Sequence, residues 1–239
     1  MSEDKLDQHH EVEDIEIPIL FQDDDLIVVE KPSGVLVHPY KSRSRQKRNL
    51  MTLVRDQIGQ YVYPIHRLDR PVSGVVVFGL NGKVVKEIKN AWHNSETKKE
   101  YISLCIGYPP DEGRFDFTLQ NEKKLKQEAL TEYWPIYRFD NYTLLKVQIK
   151  TGRKHQIRRH FSRVRHNIVG DTTHGNGKVN HFFREEYGLE RIFLHAYRLS
   201  FIHPYQNETL SFVSPLSQDL SRVIDKMGLS FEHQREVII

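Results

Sequence analysis

The chain has 239 residues, 38% of them hydrophobic and 10% aromatic, with a formal net charge of +3 and a single cysteine. That composition is ordinary for a folded globular protein, too apolar for a disordered chain, and leaves no intramolecular disulfide to form. No run approaches the ~18 apolar residues that a membrane-spanning helix needs, and an acidic N-terminus is unlike a secretory leader, so a cytoplasmic address is expected.

The charge is spread unevenly. Residues 1–16 hold seven acids (Glu3, Asp4, Asp7, Glu11, Glu13, Asp14, Glu16) against Lys5 alone, a net −6, which leaves +9 on the remainder. Such asymmetry predicts an acidic, mobile tail over 1–16 ahead of a basic body that favours a polyanion. Short strands are expected at 17–21 and 26–30 around the acidic turn Gln22-Asp23-Asp24-Asp25, then a turn at Lys31-Pro32-Ser33-Gly34 and a further extended run at 35–37. Residues 41–48 hold five bases and no acid, an exposed loop. Apolar residues at helical spacing predict one helix over 50–58, stopped by Gly59, and another between Gly82 and His93. Between them, Val75-Val76-Val77-Phe78 is apolar enough for a buried strand, with Pro71 and Gly74 breaking regular structure just before it. Strands follow at 99–106, 114–119, 131–139 and 142–150, the last two joined at Asp140-Asn141. Cys105 falls in an apolar run and reads as a small core residue. A helix from near Lys154, with Ile157, Phe161 and Val164 as its buried stripe, a strand over 192–202 and a helix over 218–227 complete the chain. This order predicts one α+β domain on a mixed, largely antiparallel sheet with flanking helices.

The string His66-Arg67-Leu68-Asp69-Arg70-Pro71-Val72-Ser73-Gly74 sets one carboxylate among cations on a loop entering the apolar strand. Loops held by a rigid scaffold are where chemistry concentrates. A near-core aspartate among arginines is also what a structural ion pair looks like. The whole string resembles the signature loop of the RluA-type pseudouridine synthases: His-Arg-Leu-Asp, two variable residues, Thr-Ser-Gly and an apolar strand. It departs only at Val72, where the family usually has Thr.

A second string, Lys150-Thr151-Gly152-Arg153-Lys154-His155-Gln156-Ile157-Arg158-Arg159-His160, opens the densest cationic stretch, with seven Lys or Arg and no carboxylate between 150 and 166. Glycine before a basic helix start offers backbone N–H groups and cations together, a seat for an oxyanion or phosphate. His155 and His160, five apart with arginines between them, do not suit zinc and read as hydrogen-bonded supports. The string resembles the family's second signature, Thr-Gly-Arg, a variable residue, His-Gln-Ile-Arg, a variable residue and His, at every fixed position. Weaker likenesses fall at Lys98-Lys99-Glu100-Tyr101, at Leu194-His195-Ala196, and at Gly170-Asp171-Thr172-Thr173-His174-Gly175, where His174 replaces the family's usual aromatic. The resemblance runs from about residue 19 to about residue 220.

It implies a pseudouridine synthase catalytic domain over 17–239, in which a uridine's N1–C1′ bond breaks, the base turns and C5 joins C1′. Nothing is consumed, so no cofactor or metal is implied; the implied partner is RNA, with no membrane and no obligatory protein partner. Asp69 is implied as the catalytic carboxylate and Arg158 as the cation that keeps it ionised, because burial alone favours the neutral acid. Tyr101 is implied to stack on the uracil and to move the C5 proton, with Leu194 as an apolar wall. Arg67 would enter the stack vacated by a flipped uridine, and Arg153, His155 and Gln156 would contact substrate. The basic runs at 41–48 and 150–165 would meet phosphates. Arg70-Pro71, residues 52–59 and the loop at 170–175 are most similar to the family branch acting on uridine 65 of the tRNA acceptor stem; ribosomal RNA is the alternative within the family. Two readings from other classes stay open: a glycosidase-type hydrolase pairing Asp69 with Asp171, and a non-catalytic RNA-binding domain anchored by Asp69.

Overall fold

A computed structural model describes residues 15–38, 48–92 and 95–229. Most of the expected acidic tail, residues 1–14, and nearly all of the basic loop at 41–48 lie outside the described residues. The chain opens with β1 (Ile19–Gln22) and β2 (Leu26–Lys31), turned tightly where Asp23 accepts the N–H groups of Asp25 and Leu26. Residues 35–37 are not a strand. Val35 and Val37 are buried, and the carbonyls of Leu36 and Val37 instead take the first N–H groups of α1 (Leu50–Ile58). Asn49 and Thr52 close a capping box on that helix, and Gly59 ends it in the left-handed region, as its sequence predicts.

Next come the two-residue β3 (Tyr63–Pro64), the wholly buried β4 (Ser73–Gly79), α2 (Gly82–Ala91) and the long β5 (Lys98–Ile106). The strand expected over 114–119 is split. Its start forms β6 (Gly113–Phe115), whereas Leu119 belongs to β7 (Leu119–Gln120), which pairs only with β8 (Lys126–Gln127) as a separate hairpin. β9 (Thr131–Phe139) and β10 (Tyr142–Ile149) form the expected antiparallel pair, with Asp140 and Asn141 both at positive φ in the turn.

α3 (Gln156–Arg163) follows, starting two residues later than expected because His155 takes φ 53° and ψ 33°. Ile157 and Phe161 are buried as expected, but Val164 is 38% exposed: it caps the helix end and has left the stripe. Besides the two-residue β3 and β8, two longer elements have no counterpart among the expected ones. α4 (Gly177–Tyr187) carries only a short apolar signal around Phe183, and β12 (Thr209–Val213) is a half-exposed strand beside β11 (Leu194–Ile202). α5 (Gln218–Lys226) buries Leu220, Val223 and Ile224.

Among the described residues the main sheet has ten strands, in the order β1-β2-β4-β11-β5-β10-β9-β6, with β3 on β4 and β12 on β11. Its pairings are antiparallel except one, β4 with β11, where His195 lies opposite Ser73 and Ala196 opposite Gly74. That parallel contact fixes the site. It brings the ends of the loop carrying Asp69 and of the strand starting at Leu194 together, with β5 and its Tyr101 on the other edge of β11. Gly74 is required there, since its φ is +117° and a Cβ would stand 2.2 Å from the Ala196 carbonyl oxygen.

Candidate active site

The loop bearing Asp69 is clamped from behind by the turn that follows β2. Lys31 is fully buried, and its ammonium donates to the carbonyls of Pro32 (2.8 Å), Arg70 (3.1 Å) and Val72 (2.6 Å). The Ser33 hydroxyl donates to the Pro71 carbonyl, the Gly34 N–H to that of Arg70, and the Arg70 guanidinium returns a bond to the Gly34 carbonyl. Burial first, then the nearby Arg191 charge, push the Lys31 ammonium down to about 7. In sequence these residues read only as a turn. The available signal was a lysine closing the apolar run Leu26-Ile27-Val28-Val29. Val72 keeps its place without the family's hydroxyl: its N–H bonds the Asp69 carbonyl, its carbonyl takes Lys31, and its side chain is buried.

Asp69 and Arg158 meet, although they lie 89 residues apart. Arg158 Nη1 donates to Asp69 Oδ2 at 3.1 Å. The two-pronged face of the guanidinium turns elsewhere: Nε reaches Asp171 Oδ2 at 2.8 Å and Nη2 reaches Asp171 Oδ1 at 2.7 Å. Asp171 is 1% exposed, and its Oδ1 also accepts the N–H groups of Thr173 and His174. Burial raises the Asp171 carboxyl, but the Arg158 bonds and those backbone donors outweigh it and hold the group below the usual carboxylate range. Asp171 thus orients Arg158, and Arg158 offers its remaining nitrogen to Asp69. Asp171 does not line the cavity described below, so it cannot serve with Asp69 as the carboxylate pair of a glycosidase.

The Asp69 side chain is 19% exposed and opens into a cavity of about 770 Å³. A single nucleotide fits such a volume, which lies within the ordinary range for ligand pockets of ~300–1,000 Å³. Tyr101 and Leu194, both buried, form apolar walls with Val72 and Ile149, and the hairpin of β7 and β8 forms the opposite rim. Burial first, and the Asp69 charge second, push the Tyr101 phenol well above its ordinary value, so it rests neutral. Arg67 is exposed at the mouth. Arg153 also lines the cavity while its Nε donates to the Glu128 carbonyl.

Gln156 reaches the cavity wall, yet its amide is used within the protein. Its oxygen accepts from Thr151 Oγ1 and the Arg153 N–H, and its nitrogen donates to the Leu130 carbonyl and to Thr131. His160 is fully buried between Thr131 and the Phe117 carbonyl. His155 does face the site, with Nε2 3.8 Å from Asp69 Oδ2 and Nδ1 3.0 Å from Nε2 of His174. Among the described residues no helix is long and apolar enough to cross a membrane.

Known proteins share this arrangement's sequence. A family model for RNA pseudouridylate synthase matches residues 25–163. The chain is 36% identical over 246 residues to a protein of Vibrio parahaemolyticus named tRNA pseudouridine synthase C, covering 94% of this chain and 98% of that one. It is 39% identical over 214 residues to the Vibrio vulnificus protein of that name, covering 80% and 87%. In fold it is similar to human RNA pseudouridylate synthase domain containing 4, with a TM-score of 0.73 at 22% identity over 88% of this chain and 93% of the human one. The match of a family model over more than half of its residues, and of relatives above 30% identity over nearly their full length, places this chain among the RNA pseudouridylate synthases, which are isomerases.

Proposed function

We propose that this chain converts a uridine of tRNA to pseudouridine, with Asp69 as the catalytic carboxylate. One observation carries the reading: the Asp69 carboxylate, ion-paired to Arg158, opens into a nucleotide-sized cavity walled by Tyr101 and Leu194. Both relatives quoted above bear the name tRNA pseudouridine synthase C, which supports tRNA over ribosomal RNA. Uridine 65 of the acceptor stem is the target we assign, on the likeness of Arg70-Pro71 and the loop at 170–175 to that branch.

A stacked uridine cannot reach a recessed carboxylate, so it must be flipped out, at a cost on the order of a few kcal/mol. Arg67, exposed at the mouth, has a planar guanidinium suited to the vacated stack. Asp69 then assists rupture of the N1–C1′ bond while Tyr101 stacks on the freed uracil. The base turns, C5 bonds to C1′, and C5 gives up its proton. Tyr101 is the group we assign to move it: the phenol, held neutral by burial, gives its own proton to the uracil N1 released from C1′, and the phenolate so formed takes the proton from C5, so that no net proton is gained or lost. Leu194 confines the ring, and Arg153 and His155 contact the nucleotide. Gln156 is better assigned to holding the turn before α3, since its amide is already committed.

The reaction is an internal rearrangement, so neither cofactor nor protein partner enters the scheme. We take residues 17–239 as one catalytic domain behind the acidic segment 1–16, working in the cytoplasm where tRNA is found. Carbodiimide mapping of pseudouridine in total RNA from cells lacking this chain tests the proposal and names the target together. Loss of one signal at uridine 65 of a tRNA is the expected result. Loss from ribosomal RNA instead would overturn the substrate, and an unchanged map would overturn the activity.

A further inference from the structure

The pair His155 and His174 stands beside Asp69 and has no part in the proposed chemistry except through His155. The two rings meet edge to face, with centroids 5.2 Å apart and planes at 76°. His155 Nδ1 and His174 Nε2 are 3.0 Å apart, so a single proton lies between them and one ring must donate while the other accepts. The other nitrogen of His155, Nε2, stands 3.8 Å from Asp69 Oδ2. A lone pair aimed at a carboxylate is repelled, whereas an N–H is attracted. The Asp69 charge therefore favours the proton on His155 Nε2, which leaves His155 Nδ1 to accept from His174.

Both rings stand on fixed backbone. His155 is held at φ 53° by the turn in which the Gln156 N–H bonds the Arg153 carbonyl and the Arg159 N–H bonds that of His155. The His174 N–H is held by Asp171 Oδ1, and its carbonyl accepts from the Asn167 side-chain amide. Around His155 lie Asp69, Arg158, His174 and Lys154; around His174 lie Asp171, Arg158, Arg159 and Asp69. Burial, the largest influence on each ring, acts with the basic neighbours to push both imidazoles below their ordinary value, so at neutral pH the pair is uncharged. Two neutral rings hold two protons: one in the shared bond, and one facing Asp69.

We infer that His174 is a positioning residue that fixes His155 in its Nε2–H tautomer, making His155 a second donor directed at the carboxylate of Asp69. The fixed tautomer is set by the partner of the opposite nitrogen, as histidines in reactive sites commonly are. It has a consequence for the carboxylate. Arg158 and His155 both address Oδ2, while Oδ1 has no hydrogen-bond partner among the described residues and is the oxygen left to meet the ribose.

This inference rests on the pseudouridine synthase reading, and the test separates the two. Long-range 15N–1H spectra of the full-length, histidine-labelled protein report which nitrogen of His155 carries the proton, with H155Q and H174Q identifying the signals. Turnover on tRNA is then compared for wild type, H174Q and H174F. The expected spectrum is Nε2–H for His155. A glutamine at 174 can still donate to Nδ1, so H174Q should stay within about two-fold of wild type. Phenylalanine keeps the packing and loses the donor, so H174F should lose on the order of ten-fold in kcat, the worth of about one hydrogen bond, at unchanged KM. A wild-type His155 protonated on Nδ1, or an H174F enzyme as fast as wild type, overturns the inference. Wild-type protein that makes no pseudouridine overturns the functional reading instead, and the spectrum still decides the tautomer.

Discussion

Arg158 divides its guanidinium between two carboxylates: two nitrogens hold Asp171 and the third reaches Asp69. The planar fork grips Asp171 with two parallel bonds and still reaches Asp69 with a third nitrogen, a geometry that the single nitrogen of a lysine does not reproduce. R158K keeps the charge and loses the geometry. It should lower kcat on the order of a hundred-fold while RNA affinity changes little, because misplacing a reacting group costs heavily even when the charge remains. Single-turnover pseudouridine formation beside a filter-binding titration checks this, and a lysine variant that turns over normally would mean that charge alone suffices. Asp69 and Arg158 could be picked out of the sequence because each sits inside a long continuous string. The service of Asp171 to Arg158 could not: in sequence it looked like a second acid for hydrolysis, and only its burial behind Arg158 removes that option. The role of Lys31 is not legible in sequence for a similar reason, since the carbonyls it holds lie up to 41 residues away.

α3 joins the basic string to the core through its histidines and its apolar stripe. His160 anchors the helix to Thr131 of β9 and to the Phe117 carbonyl. Burial pushes its imidazole from 6.5 down to about 4. Between those two values the unfolded chain binds a proton that the folded one refuses. Stability is therefore fully present above pH 6.5 and falls as the pH drops towards 4. A shift of that size corresponds to about 3 kcal/mol. Urea unfolding of wild type and H160Q at several pH values from 7 to 4 should show a shallower decline in the variant, and parallel declines would contradict the assignment. The long periodic elements were legible in sequence: α1, α2, β5, β9, β10, β11 and α5 all lie where spacing and turn residues place them. The failures are physical. α4 is a surface helix with little apolar periodicity, β12 is a half-exposed strand added beside β11, and the predicted strand over 114–119 was one run that tertiary pairing divides between two sheets.

The sheet brings residues from distant parts of the chain to one cavity, the Asp69 loop and Leu194 through the parallel contact of β4 with β11, and Tyr101 through the pairing of β5 with β11. Topology of this kind is invisible to local pattern, so the site was legible in sequence only through the family resemblance. Around the cavity the charge is positive: Arg67, Lys123, Arg153, Lys154 and Arg159 all line it. Binding of tRNA should weaken steeply with salt, each phosphate neutralised adding about −0.9 to the slope of log K against log salt concentration. A slope near zero would mean that these bases do not meet the RNA backbone. The most direct measurement is single-turnover assay of D69N on a tRNA that the wild-type protein modifies. The amide keeps the shape of the side chain and its place beside Arg158 but removes the negative charge. The variant should bind tRNA within a few-fold of wild type and form no pseudouridine; pseudouridine formed by D69N at the wild-type rate would contradict a catalytic carboxylate at position 69.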